Sequence, residues 1–490
     1  MAIVHDRPLR RHPHAPTASR RDAGIDLIRA VCVAGVIVLH ALMVGVTVGA
    51  DGPSFFNAAE GTAWIAPLTL LVPLMPMFFV IGGFSGLVGY RRLRERGGTA
   101  IGFIAARVHR LLVPAVIAIA LAGVGLAALA AGGIPPELIV IAGFRYSQPL
   151  WFLAVFLGCQ ALLPALAAAH ERAGMPMILG LSGAATLVDV VRGITGIEAI
   201  GILNLVFVWL TLQQLGFFLA DGRIDALSRR MRTLGVLGAV TLLTAGMVSG
   251  VYSTDLIVNQ TPPTVVLILA GVALTGAFSL LRAPITAFSA RGRVARFIAF
   301  VTPRAMTIYF WHMPVLLTMA GASALFASSG LIALPEPSST GWWLTRPLWI
   351  LAALFATAAV ARVLAGAEGR QLPVATTSVA RAAAAVTAGT AGIVLLLVAG
   401  TTVVTAAVAT GLLLVALTLV SAGRSKMRDL CRRCRFEIQT KKNCPPIRPR
   451  MIRSGAGEMP RMSNGAWLVA THTPHELKMR HPDQTQTSSD

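Results

Sequence analysis

The stretch GIDLIRAVCVAGVIVLH, Gly24–His40, decides the fold and points to the chemistry. It is apolar apart from Asp26, Arg29 and His40. Ionisable side chains at membrane depth are costly and persist where they have a task. Arg29 and His40 are eleven residues apart, close to three helical turns, which sets them on one face about 16 Å apart. Asp26, one turn before Arg29, shares that face and is its expected ion-pair partner. The plainer reading lets Arg29 snorkel to an interface and makes His40 a packing residue. Against it stands the alignment of acid, base and imidazole, whose unperturbed pKa suits proton abstraction from a hydroxyl.

Outward from this helix the whole chain is built for lipid. Of its 490 residues, 55% are hydrophobic and 13% charged. Soluble domains carry about 25% charged residues, so a soluble fold is excluded. Apolar runs of spanning length fall near residues 25–49, 64–90, 111–131, 150–169, 176–192, 202–220, 233–251, 264–281, 305–328 and 342–365, with 382–422 long enough for two more hinged at Gly400. The expected fold is an all-α polytopic membrane protein: a ten-span helical core plus two extra C-terminal spans, with both termini cytosolic. Charge sets the orientation. Between residues 91 and 381, 19 Lys/Arg fall in alternate loops, against Arg145, Arg192 and Arg346 on the opposite side.

The division of the chain follows: a basic cytosolic leader (1–22), a membrane domain (23–366), an additional hydrophobic pair (382–422) and a basic tail (424–490). The tail holds 14 of the 42 Lys/Arg, lacks periodicity and is expected to be disordered. No cleavable signal peptide is evident, because the first apolar run is of full spanning length. The net charge of +21 sits between spans and in the tail without aromatic interleaving, so no nucleic-acid partner is expected. Of five cysteines, Cys32 and Cys159 fall in spans. The others, Cys431, Cys434 and Cys444, give a lone CxxC whose spacing fits no metal site, so no metal is assigned.

Other constellations accompany the first helix. RVHRLLVP places Arg107 and Arg110 one turn apart at a helix mouth; they are either topology charges or a fork for phosphate groups. PLMPMFFVIGGFSGLVGY combines Pro73 and Pro76 with Gly82, Gly83 and Gly86, which suits close helix packing or, with Ser85, a curved cavity wall. Trp151, in PLWFLAVFLG, reads equally as an interfacial aromatic or a pocket residue. AMTIYFWHMPVLL supplies Tyr309 and a second intramembrane histidine, His312, about a third of the way into its span from the cytosol.

Taken in order, DLIRAVCVAGVIVLH, FFVIGGFSG, ARVHRLLVP, PLWFL, LNLVFVWLTLQQLGFFLADG, QTPPTVV and MTIYFWHMPV resemble the acyltransferase 3 family of integral-membrane acyltransferases, in its actinobacterial form, over about residues 22–365. The resemblance implies transfer of an acyl group, acetyl or another short one, from acyl-CoA to a hydroxyl of a sugar, glycolipid, cell-envelope polymer or secondary metabolite. It makes His40 the essential histidine with Arg29 as its motif partner, and Arg107 and Arg110 the donor pair. The appended extracytoplasmic domain of some members is not expected, and the resemblance offers nothing for 382–490.

The expected partners are therefore acyl-CoA as co-substrate, a hydroxyl-bearing acceptor and the bilayer of the plasma membrane, with no permanently bound cofactor. His40 would act as general base or be transiently acylated. Arg29 and Asp26 would shape the catalytic site, and Trp151, Tyr309, His312, Gly83 and Ser85 would line the substrate pocket. A secondary transporter without acyl chemistry is the alternative; it would carry internal repeats.

Overall fold

The computed structural model describes residues 22–71, 73–368 and 374–421, all within one compact unit. The leader, the tail and the CxxC motif lie outside the described residues. The helices are α1 (Ala23–Met43), α2 (Ile65–Leu71), α3 (Leu74–Glu95), α4 (Ala100–Ala131), α5 (Pro136–Ser147), α6 (Trp151–Thr195), α7 (Asn204–Ala220), α8 (Arg229–Val248), α9 (Val265–Leu280), α10 (Arg282–Ser289), α11 (Gly292–Ser328), α12 (Thr340–Glu368), α13 (Val379–Ala399) and α14 (Val403–Val420). One antiparallel hairpin, β1 (Val44–Gly49) with β2 (Gly52–Asn57), follows α1. Among the described residues, ten helical segments are long and apolar enough to cross a membrane, or eleven with the bent pair α9–α10 counted.

The first two expected spans differ from what the chain adopts. The first run ends as helix at Met43, not residue 49, because Val44, Val46, Thr47 and Val48 favour extended backbone and the chain turns back at Ala50-Asp51. Arg346 closes this end by donating to the Val44 carbonyl (2.9 Å) while its guanidinium lies 4.0 Å from the Trp342 ring centroid. The second run splits into α2 and α3 around Pro73.

The 45 residues of α6 would make a rod of about 68 Å, twice the hydrocarbon thickness. Its contacts exclude a rod. Gln213 donates to the Cys159 carbonyl, His170 bonds Asp221, and Asn204 bonds Asp189. Residues 151–170 therefore run alongside α7 in its own direction, and residues 174–189 return against it. The reversal falls at Ala173, whose φ −152°, ψ 56° are not helical. The runs 150–169 and 176–192 are thus two passes.

Ion pairs gather the basic loops at one end of the bundle. Arg91 of α3 reaches Asp221 (2.5 Å) and Glu171 (3.5 Å), and Arg282 binds both Asp22, which caps α1, and Asp225. At the opposite end Thr69 donates to Asp255 (3.3 Å), and Asp189 accepts from Tyr252 (3.0 Å) and the Val265 amide (2.9 Å).

The core is drawn tight where α3 meets α7. A Cβ on Gly83 would stand 2.1 Å from the Gln213 carbonyl oxygen, and one on Gly216 would stand 2.1 Å from that of Val80. Phe79 stacks on Trp209 beside them (4.3 Å between centroids). The C-terminal pair breaks at Gly400 (φ +73°) and packs on the domain through small residues, Ala406 over Gly123 and Gly389 over Leu112 and Leu157.

Candidate active site

Helix α1 starts where Asp22 caps it, its carboxylate accepting from the Ile25 amide (3.1 Å). Asp26 stands in the first turn, where the exposed amides favour an acid. Arg29 donates to Asp26 (2.6 Å) and reaches across to α3, where it hydrogen-bonds the Ser85 hydroxyl. The expected ion pair is present, and Ser85 joins it.

Arg107 approaches the same region from α4. Its guanidinium lies over the Phe103 ring (4.9 Å to the centroid) and within electrostatic reach of Arg29. A Cβ on Gly89 would stand 3.3 Å from its Nη2, so the glycine lets it lie against α3. Arg110 is exposed. Two half-buried arginines, of which Arg29 is paired with Asp26, make a cationic patch near the basic end.

His40 sits about 25 Å along α1 from Ala23, toward the other end. Its Nδ1 is 2.9 Å from the Val36 carbonyl. A carbonyl only accepts, so Nδ1 carries the proton and the neutral ring keeps a lone pair at Nε2. Beside it is His312 of α11, 4.9 Å away between ring centroids. Hydropathy alone puts His312 about a third of the way into a span beginning at 305. Because α11 begins at Gly292, the residue lies more than halfway along it, level with His40. Its Nδ1 is 2.5 Å from the Tyr309 carbonyl, and its Nε2 is buried with no partner among the described residues.

Two cavities meet at this pair. The larger, about 90 Å³, is lined by His40 together with Thr69, Pro73, Trp151, Gln260 and Tyr309. These residues belong to the end away from the arginines. The smaller, about 20 Å³, is lined by His312 with Val33, Ile37, Phe78, Phe152 and Met306. Val36, Met75 and Tyr309 line both and form the partition. Tyr309 is fixed there by donating to the Pro149 carbonyl (2.6 Å).

The remaining pocket candidates separate. Trp151 lines the larger cavity and packs 5.5 Å from Trp209. Gly83 faces α7, where it permits helix contact. Sequence reasoning missed Thr69, which comes from a short helix with no distinctive pattern, and did not single out Gln260, although it opens the QTPPTVV motif. It also missed a cluster at the basic end in which buried His170 joins Gln214 (2.7 Å) to Asp221 (3.0 Å). Polar residues inside the apolar run LNLVFVWLTLQQLGFFLADG were its available signal. Burial alone would raise the Asp221 carboxyl, but hydrogen bonds from Arg91 and His170 hold it below its ordinary value. No group of three or more His, Cys, Asp or Glu suited to a metal occurs among the described residues.

No curated protein and no solved structure matches the chain. The acyltransferase 3 profile, described as an acyltransferase domain, matches residues 22–366, the region that holds the histidine pair, the arginine patch and both cavities. This multi-pass membrane protein belongs to the acyltransferase 3 family.

Proposed function

We propose that the protein transfers a short acyl group from acyl-CoA to a hydroxyl, with His40 as general base. The observation that carries this reading is the lone pair of His40 Nε2, free beside a cavity at one end while cationic side chains gather toward the other. The phosphates of coenzyme A do not enter hydrocarbon and pair with guanidinium groups. Arg107 and Arg110 receive them on the cytosolic side, and Arg29, held by Asp26 and Ser85, steadies the donor. The pantetheine arm runs between α1, α3 and α11 toward His40. The smaller cavity has room for about one water, so these helices separate for the arm to enter.

The acceptor hydroxyl occupies the larger cavity and passes its proton to His40 Nε2 as its oxygen attacks the thioester carbonyl. The acceptor is a sugar, lipid or metabolite hydroxyl in or beyond the plasma membrane. Protein purified into lipid nanodiscs and given labelled acetyl-CoA tests the reading against a carrier. Release of free thiol with an acetylated product or acetate supports it. Uptake of intact label by proteoliposomes without thiol release contradicts it.

A further inference from the structure

His312 has no part in the scheme above, yet its position is costly. The residue is 1% exposed, and a buried acceptor left without a partner loses the hydrogen bond it would make in water. A phenylalanine or leucine would fill the space without that loss. Its Nδ1 carries the proton bonded to Tyr309, so the orphaned atom is a lone-pair nitrogen, and the neighbouring imidazole is that of His40.

We propose that His312 is a positioning residue for the transfer: its unpaired Nε2 shares with His40 the proton released by the acceptor hydroxyl. The inference rests on the acyl-transfer reading. In the step, the acceptor O–H bond breaks and its proton binds His40 Nε2, while the oxygen bonds to the thioester carbonyl carbon. Collapse of the adduct breaks the C–S bond, the electron pair leaves on sulfur, and the thiolate takes the proton from the imidazole pair. No proton is gained or lost overall. In between, His40 is a cation in a cavity lined largely by apolar side chains, where an uncompensated charge is expensive. The neutral ring of His312, its dipole fixed by the Tyr309 carbonyl, offers the compensating negative end.

The test uses the full chain in nanodiscs with acetyl-CoA as the probe, measuring thiol release and melting temperature. His312→Asn keeps a donor for the Tyr309 carbonyl but removes the Nε2 lone pair; His312→Gln places an amide oxygen near the Nε2 position. We expect His312→Asn to lower kcat about a hundredfold with KM for acetyl-CoA little changed, and His312→Gln to recover about tenfold of it. Full kcat in His312→Asn, or equal losses in both variants, overturns the proposal. An inactive His40→Ala beside a fully active His312→Asn overturns it alone. A wild type without turnover, or a fully active His40→Ala, overturns the acyl-transfer reading beneath it.

Discussion

A guanidinium is worth most to an anion where little water competes, and Arg107 and Arg110 differ in that respect. Arg107 is half-buried beside Arg29 while Arg110 is exposed. Arg107→Gln is expected to raise KM for acetyl-CoA about tenfold or more, and Arg110→Gln by less, in steady-state thiol-release assays. Unchanged KM in both returns them to topology charges. The pairing of Asp26 with Arg29 was legible in the sequence because i to i+3 spacing on a helix leaves few other partners. The meeting of His40 with His312 was not: 272 positions separate them, and nothing in either helix encodes the register between them. A second residue-scale expectation concerns Asp221, whose carboxyl lies below its ordinary value in the fold. Its stabilising contribution is full above the ordinary carboxylate range and is lost as pH falls through the depressed value. Below about pH 4 the melting temperature of the wild type should drop, and that of Asp221→Asn, lower at neutrality, should change less.

Among elements, α3 and α7 meet backbone to backbone through their glycines. A Cβ on Gly83 or Gly216 meets backbone at 2.1 Å, whereas one on Gly158 meets nothing within 4 Å. Gly83→Ala and Gly216→Ala are each expected to destabilise the protein by about 1–3 kcal/mol, with Gly158→Ala close to neutral, in thermal or chemical denaturation. Equal behaviour of all three would contradict the packing. The glycines of GGFSG were visible in the sequence, but whether they faced a helix or a cavity depended on the partner helix. Helix ends were legible where a glycine of positive φ marks them, as at Gly400, whereas the break at Pro73 divides what hydropathy shows as one span. They were missed at Met43, where a run of apolar β-branched residues continues the hydropathy while changing the backbone. Hydropathy reports burial in lipid; it does not distinguish a helix from a short hairpin at its end.

For the whole molecule, the alternation of basic and acidic loops carried the most information. Loops expected on one side are bonded to one another: Arg91 to Asp221, Arg282 to Asp22 and Asp225. The positive-inside bias predicts that the basic end faces the cytosol. Cysteine introduced at Arg94 should resist a membrane-impermeant thiol reagent in intact cells, and cysteine introduced at Asp51 should react. The reverse pattern would invert the proposed entry of donor and acceptor. The two-ended design itself, cations toward one end and a histidine-lined cavity toward the other, depends on long-range packing between α1, α3, α4 and α11. The motifs named its parts without their distances. Its central claim is that one imidazole performs the proton transfer. The most direct measurement is thiol release from acetyl-CoA by purified wild type and by His40→Ala of equal melting temperature. Loss of turnover by about a hundredfold or more is expected; turnover retained without the imidazole would contradict the account.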